Sequence, residues 1–261
     1  PAPTDALYHL GFGPSDLGAT PPTVALLSGD PQRAERIAHG HLRNARTLST
    51  HRGLHSYLAA SASGAPLLSA TSGMGAPSLS IIVNELVQVG VRTIIRVGTS
   101  GSIQPFVRVG SAVISSGALC RQGAAHDVAP PEYPAVADPF LTVALAGAAT
   151  RLGLEHHVGI TASVDTFYEG QGRTGGANPA LLRSLQGVLE EYRALRVLNF
   201  EMEAGTLFKL GSVYGFRAAC VCAVVAQRSE GEEVVLEHKD RAVENAIRVA
   251  VATASEVAEE D

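Results

Sequence analysis

The chain has 261 residues, 46% of them apolar, no tryptophan and a formal net charge of −5, which allows one sizeable core built from Ala, Val, Leu and Ile. A mildly acidic balance without a Lys/Arg run excludes the electrostatic footprint of a nucleic-acid binder, and no apolar stretch approaches the roughly 20 residues of a membrane span. Residues 1–16 carry no basic and apolar leader pattern, and Cys120, Cys220 and Cys222 match zinc or redox motifs poorly, so the expectation is a cytoplasmic protein with reduced, mostly buried thiols.

Residues 24–28 read as a strand and Gly29-Asp30-Pro31 as a tight turn. A helix over 32–39 follows, with Asp30 in the N-cap position and Pro31 in the first helical position. Residues 56–62 and 67–71 are two strands joined around Ser63-Gly64-Ala65-Pro66. After Gly73-Met74-Gly75, Pro77 opens a helix whose apolar positions Leu79, Ile82, Val83, Leu86 and Val89 keep the helical period until Gly90. Residues 93–97 form a buried strand that ends in Gly98-Thr99-Ser100-Gly101. Then come a strand at 111–115, a helix at 140–152, a strand at 157–161, and a helix opened by Asn178-Pro179. A helix at 203–214, a strand at 217–226 and a terminal helix at 239–257 complete the pattern. Alternation of this kind predicts an α/β domain whose largely parallel sheet is covered on both faces.

Ligands of such sheets bind beyond the carboxyl ends of the strands. Arg33 stands in the first helical turn after Gly29-Asp30-Pro31, where main-chain N–H groups and the positive helix end favour an anion. Arg96 lies inside an otherwise apolar strand, and a buried guanidinium needs an anion or a carboxylate to offset its desolvation. Gly98, Thr99, Ser100 and Gly101 add close main-chain approach and two hydroxyl groups. The run from Asp165 to Arg173 brings Phe167, Gln171 and Arg173 together, an aromatic face with amide and guanidinium groups suited to a planar heterocycle. Glu201-Met202-Glu203 offers two carboxylates at the start of a helix, which suits a sugar diol as well as ordinary helix-terminus charge.

These segments resemble the nucleoside phosphorylase superfamily and, within it, the uridine phosphorylases, from Tyr8 to Ala226. The resemblance rests on Tyr8-His9-Leu10-Gly11, Gly29-Asp30-Pro31 with Arg33, His51-Arg52, the run Arg96-Val97-Gly98-Thr99-Ser100-Gly101-Ser102-Ile103-Gln104-Pro105, Asp165-Thr166-Phe167-Tyr168 with Gly170-Gln171 and Arg173, and Glu201-Met202-Glu203. It implies one domain over residues 1–261, a three-layer α/β/α fold with a central mixed, largely parallel twisted sheet. It also implies that Gly29, Arg33, Arg96 and Thr99 bind phosphate together with Arg52 from a neighbouring subunit. Phe167, Gln171, Arg173 and Arg228 would hold the base, Met202 and Glu203 the ribose, and His9 the 5′ hydroxyl from the partner chain. Arg33, Arg96, Thr99, Gln171 and Arg173 would carry catalysis.

The implied reaction is phosphorolysis of uridine, or of deoxyuridine or thymidine, with inorganic phosphate as co-substrate, no organic cofactor and no metal. The implied assembly is a homo-oligomer with intersubunit sites, a dimer or a hexamer built as a trimer of dimers. Bacterial members carry a glutamate directly after the arginine matching Arg52, associated with a monovalent cation between subunits. Gly53 stands there instead, so that cation is not implied. Gly172 replaces the more usual glutamate between the glutamine and arginine of the base loop. The rival readings are a purine nucleoside phosphorylase, whose relatives place an aspartate after the strand where Ala226-Gln227-Arg228 stands, and a nucleoside hydrolase, which has no use for a strong anion site. A dinucleotide-binding turn at Gly73-Met74-Gly75 lacks its third glycine at Ser78.

Overall fold

The computed structural model describes residues 5–229 and 236–260. Strand β1 (Val24–Ser28) is buried at every position, as expected of a strand covered on both faces. Helix α1 (Pro31–His41) starts where the Asp30 carboxylate accepts from Gln32 N at 2.9 Å, the cap read from the sequence. The chain then runs through β2 (Arg43–Ser49), β3 (Ser56–Ala60) and β4 (Pro66–Thr71) to α2 (Ala76–Gln88) and β5 (Thr93–Ser102). Next come β6 (Ala112–Arg121), the single turn α3 (Gly123–His126), α4 (Pro139–Arg151) and β7 (His156–Val164). The last elements are α5 (Val188–Ala194), β8 (Asn199–Glu201), α6 (Ala204–Tyr214), β9 (Arg217–Gln227) and α7 (Leu236–Glu260).

The strands form one mixed sheet in the order β2-β3-β4-β1-β5-β8-β7-β6-β9. Among the described residues five pairings are parallel and four antiparallel. Because β9 pairs with both β5 and β6, the strands β5, β8, β7, β6 and β9 close into a ring. Alternate residues of β1 and β5 face opposite layers: Leu26 and Ile95 pack with α1, α4 and α7, while Leu27 and Ile94 pack with α2 and α6. The three-layer arrangement is therefore present. Among the described residues no helix is long and apolar enough to cross a membrane.

Two expectations change, and two strands were not foreseen. Gly98-Thr99-Ser100-Gly101 is not a turn after β5 but part of it, because all ten residues of the strand pair with β9. No helix starts at Asn178-Pro179: the Asn178 side chain instead accepts from Ala180 N at 3.0 Å in a local turn, and α5 begins only at Val188. The short strand Asn199–Glu201 was not foreseen, while the helix after it starts at Ala204, close to the expected 203. Finally, β2 was not foreseen, since its half-exposed residues carry no apolar alternation.

Candidate active site

The site opens where β5 changes neighbours. Along one edge β5 pairs with β1 as far as Leu27↔Arg96, and β8 joins only at Gly101↔Phe200. Residues 97–100 therefore pair on one side alone, with β9. A cleft of about 1000 Å³ lies over this gap, reached by Gly29, Arg33, Thr99, Phe167, Gln171 and Glu203. This is the switch point at which open α/β sheets bind ligands.

Arg33 crosses the gap from the start of α1 and donates from Nη1 to the unpaired edge at Val97 O, 3.1 Å away. Its Nε is buried without a hydrogen-bond partner among the described residues. Burial, then the positive charge of Arg96, hold the Arg33 guanidinium below its ordinary pKa. The Arg33 guanidinium at the start of α1 thus lies within electrostatic reach of Arg96 on β5.

Arg96 is 4% exposed and met by two carboxylates, Glu201 Oε2 at 3.1 Å from Nε and Glu203 Oε2 at 2.5 Å from Nη2. Burial depresses its pKa, but Glu203 and Glu201 outweigh burial and hold it well above the ordinary value. Gly98 makes this possible: a Cβ there would fall 2.9 Å from Arg96 Nη2 and 2.7 Å from Cys222 Sγ. Glu201 also accepts from the N–H groups of Glu203 and Ala204 at 2.8 Å, and from Ser163 Oγ. Glu203 accepts from Gly75 N at 2.6 Å, so the Gly73-Met74-Gly75 turn anchors a carboxylate and presents Met74 to the cleft. Burial pushes the Glu203 carboxyl up, against the pull of Arg96.

At the other end, buried Gln171 ties two arginines together: its Oε1 accepts from Arg173 Nη1 and, at 3.4 Å, from Arg228 Nη1. Arg228 Nη2 also donates to Gln171 O at 3.0 Å. The Arg173 guanidinium lies 3.8 Å above the Phe167 ring and so covers one of its faces. Met202 lines the cleft between these groups and Arg96. Its carbonyl accepts from Gln122 Nε2 at 2.5 Å, while Gln122 Oε1 accepts from Thr206 N at 2.9 Å and Thr206 Oγ1 at 2.8 Å.

His9 and Arg52 do not line the cleft of their own chain. They share one patch elsewhere, where the Tyr8 ring meets His9 at 4.8 Å and His51 at 6.4 Å. Gly11 permits that approach, since a Cβ on it would lie 2.6 Å from Ser49 Oγ and 2.8 Å from His51 Cβ. The Glu85 carboxylate accepts from the main chain of His9 and Leu10 and meets His9 Nδ1 at 2.6 Å. Arg52 is exposed and held at φ 55, a left-handed conformation that side chains adopt at a cost of about 1–3 kcal/mol.

The phosphorylase superfamily matches residues 23–258. The chain is 40% identical over 253 residues to a uridine phosphorylase of Haemophilus influenzae, covering 95% of this chain and 99% of that one. It is 38% identical over 248 residues to a uridine phosphorylase of Escherichia coli, covering 95% and 96%, and 41% identical over 227 residues to one of Thermococcus kodakarensis, covering 86% and 79%. This chain belongs to the phosphorylase superfamily.

Within this superfamily member, the glycines that depart from the family pattern have local reasons. Gly53 sits at φ 74 and Gly172 at φ 69, where glycine is favoured. A Cβ on Gly172 would in addition come within 2.8 Å of Val188 Cγ1. The sequence reading missed Gln122, Ser163, Gly75 and Glu85. Each acts by a hydrogen bond to a partner at least 38 residues distant, and no local spacing advertises such a bond.

Proposed function

We propose that the protein cleaves the N-glycosidic bond of uridine with inorganic phosphate, releasing uracil and ribose 1-phosphate. The observation that carries this reading is the buried guanidinium of Arg96, shared between Glu201 and Glu203 at a strand gap that Arg33 enters from the opposite side. The names carried by relatives at 38–41% identity across most of the chain point to the same reaction.

Breaking this bond builds positive charge on the sugar and negative charge on the departing base, so the catalyst must stabilise both poles at once. In the proposed arrangement Gly29, Arg33, Arg96, Thr99 and Arg52 of the partner subunit hold phosphate beneath C1′. There it balances the cationic sugar and then captures it. Met202 and Glu203 face the ribose, and the partner's His9 reaches the 5′ hydroxyl. Phe167 packs on the uracil ring. Gln171, Arg173 and Arg228 receive the charge that develops on the uracil oxygens through hydrogen bonds. The working protein is thus a homo-oligomer with sites at subunit boundaries, acting in the cytoplasm on small molecules, with phosphate as its co-substrate.

The test is base release followed by ultraviolet absorbance with uridine, thymidine and inosine, each with and without phosphate. Phosphate-dependent release from uridine supports the reading. Release at equal rates without phosphate would make the enzyme a hydrolase, and preference for inosine would make it a purine phosphorylase.

A further inference from the structure

Cys220 and Cys222 lie two residues apart on β9, so both thiols project from one face of the strand. Their register partners on β5 are Arg96 and Gly98, and the two sulfurs are 3.6 Å apart. The missing side chain of Gly98 leaves room between the Cys222 thiol and the Arg96 guanidinium. Glu201 reaches the same space from β8. A carboxylate oxygen of Glu201 and the two sulfurs all fall within 4.8 Å of one another, and all three residues are buried.

We propose that Cys220, Cys222 and Glu201 form a binding site for a thiophilic divalent cation of the zinc type, directly behind Arg96, and that filling it weakens phosphate binding. Two sulfurs on one tetrahedral zinc, each bonded at about 2.3 Å, stand about 3.8 Å apart, close to the spacing here. The donor set of two thiolates and one carboxylate selects zinc or cadmium over magnesium or calcium. The cation replaces two thiol protons, which leave to solvent, so the buried charge is unchanged and no electron is transferred. Both thiols are fully buried, and Arg96 and Glu201 beside them line the cleft, so a cation reaches the thiols by a local opening past these two side chains.

Occupation reaches the anion site through Glu201. Its Oε2 accepts from Arg96 Nε and from the N–H groups of Glu203 and Ala204. A carboxylate drawn to the cation withdraws from all three. Arg96 then loses one of its two carboxylate holds, and the segment presenting Met202 and Glu203 loses its anchor. Binding of the cation stands on the geometry alone; its effect on phosphate binding rests on the proposed function.

The experiment titrates the purified chain with Cd²⁺ and follows the thiolate-to-metal charge-transfer band, with stoichiometry from equilibrium dialysis against Zn²⁺. Phosphate affinity is read by calorimetry, which needs no nucleoside substrate. The expected result is one cation per chain, a band lost in Cys222→Ala and kept in Cys120→Ala. Phosphate affinity should weaken roughly tenfold or more on saturation in the wild type, as when a group supporting a ligand is lost, and stay constant in Cys222→Ala. Should Cys222→Ala fail to fold by circular dichroism, Cys220→Ala serves in its place. Absence of a saturable band, a band that survives the Cys222 or Cys220 variant, or a filled site with unchanged phosphate affinity overturns the proposal. A filled site in a protein that does not cleave uridine would instead leave the site standing and overturn the assigned reaction.

Discussion

Glu203 Oε2 lies 2.5 Å from Nη2 of Arg96, so the carboxylate proposed to face the sugar and the guanidinium proposed to face phosphate are held by each other. Each fixes the other's rotamer before substrate arrives, and the entropy of ordering both side chains is spent during folding. The pair also joins the two halves of the cleft, since Glu203 is tied to Gly75 at the start of α2 and Arg96 to β5.

Arg96→Ala should therefore lower kcat/KM by about 10² or more, the scale expected when one charge-stabilising donor is lost. It also leaves Glu201 and Glu203 buried without their cation, so Arg96→Lys is the cleaner probe. That variant keeps the charge and loses the forked geometry. Steady-state kinetics in which either variant turns over at the wild-type rate would remove Arg96 from the mechanism.

Gly98→Ala tests the space that the guanidinium occupies. The new methyl would meet Cys222 Sγ at 2.7 Å and Arg96 Nη2 at 2.9 Å. Overpacking of this kind costs about 1–3 kcal/mol. The clash falls on the guanidinium that Glu201 and Glu203 hold in place, so relieving it displaces Arg96 from its carboxylates. The expected outcome is a raised KM for phosphate with a smaller change in KM for uridine. Equal changes in both would show that the glycine serves only the strand.

Acidification should act through Glu203. Burial raises its carboxyl pKa, so it takes up a proton above the usual carboxylate value of about 4.3. Protonation removes a negative partner of Arg96, and kcat/KM should fall as pH drops through this raised value. Stability moves the other way. The folded state binds that proton more tightly than the unfolded chain does, so the contribution is full below the unfolded value and is lost as pH rises through the folded one. Thermal melts and rate profiles of wild type and Glu203→Gln separate the two effects. A rate inflection that persists unchanged in Glu203→Gln assigns it to another group.

Most of what positions the cleft was readable in the chain. Arg96 stood out because a charge in an apolar strand demands partners, and Asp30-Pro31 announced the start of α1 by capping chemistry. The glycines and serine at 98–101 were misread for a physical reason: they are poor strand formers in isolation, and only the long pairing with β9 keeps them extended. The three-residue strand β8 is too short to show a period. Gln122 stayed hidden because a neutral amide between Met202 O and Thr206 N is defined by tertiary contact alone.

The intersubunit reading predicts complementation. Arg52→Ala and Arg96→Ala chains should each be nearly inactive as homo-oligomers. A heterodimer isolated with two affinity tags contains one site with both arginines intact and should regain roughly half the wild-type activity per dimer. Failure to regain any activity in verified heterodimers would place Arg52 outside the partner's site.

A crystal structure with inorganic phosphate examines the shared anion itself. The account predicts one phosphate over the gap at residues 97–100, within hydrogen-bond reach, about 2.7–2.9 Å, of both Arg33 and Arg96, with Arg52 of the partner subunit closing the third side. Phosphate bound elsewhere, or Arg33 and Arg96 turned toward different ligands, would contradict it.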